Sequence, residues 1–281
     1  MGAAARPARC ISIAPAMLNT LSRLFQKSRT ETLRIAVPEG TRFYAVGDVH
    51  GRQDLFAALS SAIDADDAAA VPADTTVVLL GDLVDRGPDS AGVIAHARAW
   101  GGRRQVRLLA GNHEEMFLES FDDLEVLRHF LRHGGRETVL SYGMDRSRYN
   151  ALALEELQVE LARIVPAADR AYLAAAEDWI EAGGYLFAHA GVDPAVPLAD
   201  QSPKDLRWIR HRFLDHAGDY SHVVVHGHTI FEGVTSARHR IGIDTGAYRT
   251  GRLTALVLEG SARRTIQAVE RDGAITIEHG E

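Results

Sequence analysis

The chain has 281 residues, 46% of them hydrophobic, a formal net charge of −7 and one cysteine. It holds enough apolar material for a sizeable core, its acidic balance argues against a nucleic-acid binder, and the lone Cys10 excludes a disulfide framework or a thiolate metal site. No apolar run reaches the roughly 18–20 residues of a membrane span.

Residues 1–35 read as a basic tail and are expected to be disordered. Arg6, Arg9, Arg23, Lys27 and Arg29 come with no acid before Glu31, and Met17, Leu18, Leu21, Leu24 and Phe25 recur at helical spacing. The apolar run is too broken for a secretory signal. Met17 is an alternative start, and weak association of this tail with a membrane surface is the sharper alternative. Residues 36–281 are expected to form one domain, in a reducing cytoplasm by the cysteine usage.

Within it, FYAV (43–46) reads as a strand and LFAALSSAI (55–63) as a helix. TVVLL (76–80) is the next strand, and a helix opens at Pro88 and runs toward Trp100. QVRLLA (105–110) is a third strand and EEMFLESF (114–121) a helix. Residues 122–178 read as a helical insertion, punctuated by HGG (133–135) and containing LEELQVELARIV (154–165) and a helix from Ala168 to Asp178. Strands return at YLFAHA (185–190), HVVVHG (222–227), HRIGID (239–244), LTALVLEG (253–260), TIQAV (265–269) and AITIE (274–278). The βαβαβα opening calls for an α/β fold with a parallel-containing sheet covered by helices.

Three consecutive strands end in GDVHG (47–51), GDLVDRG (81–87) and GNHE (111–114), and two later ones in HAG (189–191) and HGHT (226–229). Taken singly, GDLVDRG reads equally well as a polar turn, and GDVHG and His189 read more readily as a turn and a satisfied histidine, while Asn-His can be a helix start. Together, each closing an apolar strand, they place ionisable groups where loops of an open α/β sheet converge. Asp48 and His50, at i and i+2, would face one way in an extended segment and share an ion. Asp82 would bridge it to a second ion completed by Asn112, His189 and His228. These oxygen and nitrogen donors suit Mn²⁺ first, with Fe or Zn²⁺ as alternatives, and two such ions make a hydrolytic clamp.

The motif set resembles that of the PPP-type serine/threonine protein phosphatases, among the calcineurin-like metallophosphoesterases. With the late IDTGAYRTGRLTALVLEG (243–260), it is most similar to their bacterial and phage branch. The resemblance implies two mixed β-sheets sandwiched between helices, and hydrolysis of phosphoserine or phosphothreonine on phosphorylated proteins or peptides, with phosphotyrosine a further candidate. It implies direct attack by a metal-bridging hydroxide. Asp82 would be the bridging carboxylate, Arg86 would hold the phosphate together with Asn112, and Asp85 would orient His113, the general acid. A second phosphate arginine is expected from LRWIRHRF (206–213), where similarity to a Trp-x-Arg pattern picks Arg210; the stretch also reads as a packed amphipathic helix. Tyr248 would line the pocket by similarity, or else belong to the core. His226 reads as structural.

Two rivals remain. Symmetrical dinucleoside-tetraphosphate hydrolases share most of these motifs, but usually lack the aspartate matching Asp85 and often carry GNHD in place of GNHE. A non-catalytic binding relative would normally have lost ligands that are all present here. The broader nuclease and diesterase branch ends in GHxH, where this chain has Ile230.

Overall fold

The computed structural model describes residues 1–2 and 35–280. The chain divides into two compact units, Met1–Arg34 and Ile35–Glu281. The expectations for the basic tail and for Met17 fall on residues 3–34, outside the described ones.

In the second unit the strands are β1 (Thr41–Val46), β2 (Asp74–Leu79), β3 (Val106–Leu108), β4 (Trp179–Ala182), β5 (Tyr185–Ala188), β6 (Val223–His226), β7 (Thr235–Ala237), β8 (Arg240–Gly242), β9 (Arg252–Glu259), β10 (Ala262–Arg271) and β11 (Ala274–Gly280). They form a six-stranded sheet in the order β11-β10-β9-β1-β2-β3 and a five-stranded one in the order β4-β5-β6-β8-β7. The parallel pairs β1–β2, β2–β3, β5–β6 and β6–β8 make both sheets mixed.

Strand alternation builds the layers. Phe43 and Ala45 point inward, with Val78 and Leu80, to meet Phe187, Val225 and Ile241 of the second sheet. Tyr44, Val46, Val77 and Leu79 point outward, onto a cluster containing Phe56, Leu59, Ile94 and Trp100 from the helices α1 (Gln53–Ala69) and α2 (Ser90–Gly101). On the far side Leu186 and Val224 pack against Leu206 and Phe213. The result is the expected pair of mixed sheets between helices.

Several boundaries differ from expectation. Pro88 precedes α2 instead of opening it, because Asp89 caps the helix by accepting the Gly92 N–H. The helix after β3 is α3 (Asn112–Glu119), which begins two residues early and so carries Asn112 and His113 in its first turn. The insertion comprises α4 (Leu124–Phe130), a π turn over Leu131–Gly135, α5 (Arg136–Ser141), α6 (Arg146–Ala151), α7 (Leu154–Ile164) and α8 (Ala167–Ala174). The helix expected up to Asp178 stops at Ala174, and β4 and β7, short edge strands, carried no sequence signal. LRWIRHRF breaks at Ile209 and Arg210 into α9 (Pro203–Trp208) and α10 (His211–Leu214). Among the described residues no helix is long and apolar enough to cross a membrane.

Candidate metal centre

Parallel strands end on the same side, so the loops after β1, β2 and β3 converge, and those after β5, β6 and β8 meet them from the second sheet. The convergence strains the backbone. Of six non-glycine residues with positive φ among the described residues, five lie in these loops: His50 (45°), Asp82 (50°), Asp85 (74°), Arg86 (68°) and His228 (62°). Such conformations cost of order 1–3 kcal/mol each and persist only where surrounding structure enforces them. Gly227 is needed for close approach, since a Cβ there would collide with the Asp48 carboxylate.

Asp82 sits at the centre, 2% exposed, between two groups of buried ligand-type atoms. One joins it to His50 and His113, whose Nε2 atoms lie 3.4 and 4.0 Å from Oδ2. The other joins it to His189 and His228, with His189 Nε2 3.4 Å from Oδ1. Asn112 Oδ1 ties the second group together, 3.1 Å from His189 Nε2 and 2.7 Å from His228 Nδ1. Backbone carbonyls orient two of the rings: His50 Nδ1 lies 2.8 Å from Val84 O, and His189 Nδ1 lies 2.7 Å from Leu80 O. Burial would push the Asp82 carboxyl up, but His189, His113, His50 and His228 around it hold it well below the usual carboxylate range.

Asp48 and His50 are not joined by an extended segment, since His50 takes a φ of 45° in the turn after β1. Asp48 Oδ2 accepts the backbone N–H of His228 at 2.9 Å, and Asp48 stands outside the two close groups while His113 joins the first. Beside it lies Asp244, a carboxylate the sequence reading passed over, 1% exposed and accepting the Gly246 N–H. Burial, then Asp244 and Asp82, raise Asp48 well above the carboxylate range; burial, reinforced by Asp82, pushes Asp244 up to about 6. The clue in the sequence was the same as elsewhere, an apolar strand (RIGI) running into an acid.

This donor set fits divalent cations. Asp48 Oδ1, Asp244 Oδ2 and His228 Nε2 are buried without a hydrogen-bond partner, a costly state for polar atoms unless a ligand completes them. The Arg86 guanidinium already acts as a stand-in cation, with Nη1 2.7 Å from His50 Nε2 and Nη2 2.9 Å from His113 Nε2. Imidazole lone pairs and a shared carboxylate are the ligands that Mn²⁺, Fe or Zn²⁺ accept.

His113 Nδ1 contacts Asp85 Oδ2 at 2.6 Å with both residues buried, which leaves Nε2 facing the Asp82–Arg86 pocket. Burial opposes protonation of this ring, but Asp82 and Asp85 prevail and raise its pKa. Glu114 braces the loops: its carboxylate accepts N–H groups from Asp82 and Leu83, both at 2.7 Å, and from Gly111 at 3.0 Å. Tyr248 lies beside the first group, its ring 5.4 Å from that of His50 and 4.9 Å from the Arg86 guanidinium carbon. Of the three arginines in LRWIRHRF, Arg207 pairs with Glu115 and Asp178, and Arg212 with Asp193 and Asp205. Arg210 is exposed, takes part in no ion pair among the described residues, and its charge helps lower the pKa of His189 and His228. His226 is buried against Phe213, and burial pushes it down to about 4.

A family model described as calcineurin-like phosphoesterase matches residues 41–247. Among curated proteins, the symmetrical bis(5'-nucleosyl)-tetraphosphatase of Klebsiella pneumoniae (strain 342) is 40% identical over 78 residues, 28% of this chain and 25% of that protein. Its counterpart from Yersinia enterocolitica is 42% identical over 71 residues, 25% of this chain and 22% of that protein. These matches thus span about a quarter of the relatives' length. A crystal structure provisionally described as a diadenosine tetraphosphatase superposes with TM-score 0.56 at 22% identity, over 88% of this chain and 97% of that one. A cold-active protein-tyrosine phosphatase of a psychrophilic Shewanella species gives 0.54 at 18%, over 89% of this chain and 84% of that one. At these identities the two structures speak for the fold alone.

Proposed function

We propose that this chain, which belongs to the calcineurin-like phosphoesterase family, is a phosphomonoesterase that removes phosphate from phosphoserine and phosphothreonine in proteins, with phosphotyrosine a further substrate. Asp48, His50, Asp82, Asn112, His189 and His228 would hold two divalent ions, Mn²⁺ first among the candidates. When bound, the ions supply Lewis acidity and a water-derived nucleophile at neutral pH.

The remaining work falls to the chain. Arg86 and Arg210 grip phosphate oxygens, for which a guanidinium fork is matched in geometry and charge, and Asn112 contacts the same group. Tyr248 stacks against Arg86 and limits where its guanidinium can swing. His113 gives a proton to the departing alkoxide as the phosphorus–oxygen bond breaks, while Asp85 holds the imidazole in place and balances its charge.

The observation that carries this reading is the buried Asp85–His113 contact of 2.6 Å beside Arg86. A serine or threonine alkoxide is a poor leaving group and needs that proton. A nucleotide released from a polyphosphate chain leaves as a stabilised anion and needs it far less. A groove of about 300 Å³ beside Trp208 and Met116 is lined by Glu115, Glu119, Glu125 and His129, with Glu115 paired to Arg207 and Glu125 to Arg128. The curated relatives favour a second reading, symmetrical hydrolysis of dinucleoside tetraphosphates. Turnover of a phosphoserine peptide and of diadenosine tetraphosphate, measured side by side with Mn²⁺, decides between them: a marked preference for the dinucleotide sinks the first.

A further inference from the structure

Asp85 and Arg86 are consecutive non-glycine residues held in the left-handed region, so something outside their own loop must enforce that turn. The helical insertion does. The Arg86 N–H donates to the Gly134 carbonyl at 3.1 Å. Gly134 lies in the π turn at φ 109°, and a Cβ there would come within 2.7 Å of the Arg86 nitrogen.

One turn later, Thr138 of α5 reaches Asp85 directly, and both side chains are fully buried. The Thr138 hydroxyl donates to Asp85 Oδ1 at 2.6 Å. Its oxygen lies 2.9 Å from the Asp85 N–H and 2.9 Å from Ser90 Oγ, which also lies 2.9 Å from that N–H. The hydroxyl's one proton and two lone pairs are therefore all engaged. Each Asp85 oxygen has its own duty: Oδ1 answers to Thr138, and Oδ2 to His113.

We propose that Thr138, carried by the insertion, is a positioning residue for proton transfer: its hydroxyl fixes the Asp85 carboxylate so that Oδ2 stays on His113 Nδ1 and His113 Nε2 stays aimed at the phosphate pocket. The inference rests on His113 acting as proton donor. It assigns the insertion a part in catalysis in addition to any part in choosing substrates.

Thr138→Val keeps the shape and removes the hydroxyl. Turnover of phenyl phosphate, whose leaving group needs a proton, should fall by about 10-fold or more, and that of 2,4-dinitrophenyl phosphate by less than about 3-fold. Thr138→Ser should restore both. In the same variants loaded with diamagnetic Zn²⁺, the downfield imidazole N–H signal of His113 should shift or broaden with Val and return with Ser, with bound zinc unchanged. Should the valine variant not fold, Ser90→Ala reads the same ratio through the same network. Equal losses for both esters, or no loss, would overturn the role of Thr138. Wild-type protein that hydrolyses neither ester with Mn²⁺ would overturn the phosphatase reading itself, and with it this inference.

Discussion

The six-stranded sheet buries charge at both of its ends, in opposite ways. At the end away from the candidate centre, Arg42 is 1% exposed, yet each of its three nitrogens has an acceptor: it donates to Asp67 at 2.8 Å, to both oxygens of Glu259 at 3.0 Å and to the Val71 carbonyl at 2.8 Å. Asp66 and Asp67 nearby are paired in turn with Arg264 and Arg104. At the other end, the buried carboxylates Asp48, Asp82 and Asp244 gather among buried imidazoles, and Asp48 Oδ1, Asp244 Oδ2 and His228 Nε2 have no partner. One end is finished by the chain itself, and the other is completed by what it binds. Burial of charge is thus no mark of function; burial without internal compensation is.

Substitutions at the two ends should therefore fail differently. The largest effect on turnover is expected for His113→Asn, about 10²- to 10⁴-fold on a phosphoserine peptide, with thermal stability and metal content near wild type. Loss of metal together with activity would instead make His113 a ligand, a role its place in the first close group allows. Arg42→Met should do the reverse. Removing the guanidinium takes its bonds from Asp67, which keeps Arg104, and from the half-exposed Glu259, and should cost about 1–3 kcal/mol in urea unfolding, while kcat per folded molecule stays unchanged.

A subtler contrast lies in pH. In metal-free protein, the folded-state pKa of Asp244, about 6, stands above the value near 3.9 of an unfolded aspartate. Between those pH values the folded form keeps a proton that the unfolded form releases, so this group's contribution to stability falls as pH rises. Asp244→Asn removes that penalty. In chelator, the variant should gain on wild type from pH 4 to 6 and hold the gain above; a pH-independent difference would show that Asp244 is compensated like the acids around Arg42. The smallest effect is expected from Arg210→Ala, an increase in KM of about 10-fold with kcat little changed, since its exposed guanidinium acts through a single charged contact. Unchanged kinetics would remove it from the site.

What the sequence could reveal depended on range. The motifs at the strand ends were legible because each closes a local apolar run, and the order of strands carries them to one edge. Helical periodicity likewise marked the insertion. Strand alternation does not describe the turn that carries Asp48 and His50, because His50 takes a left-handed conformation there. Asp244 went unnoticed because it sits among residues common in turns. HGG marked a break at Gly134, but nothing tied it to Arg86 or Thr138 to Asp85, for these contacts cross some fifty positions and leave no local period. The edge strands β4 and β7 are too short to declare themselves.

Asp82 is proposed to lie between two cations, and anomalous diffraction from crystals grown with Mn²⁺ would locate them. Two manganese peaks on either side of the Asp82 carboxylate, one toward His50 and one toward His189 and His228, are the expected result. A single peak, or none within reach of Asp82, would contradict the account.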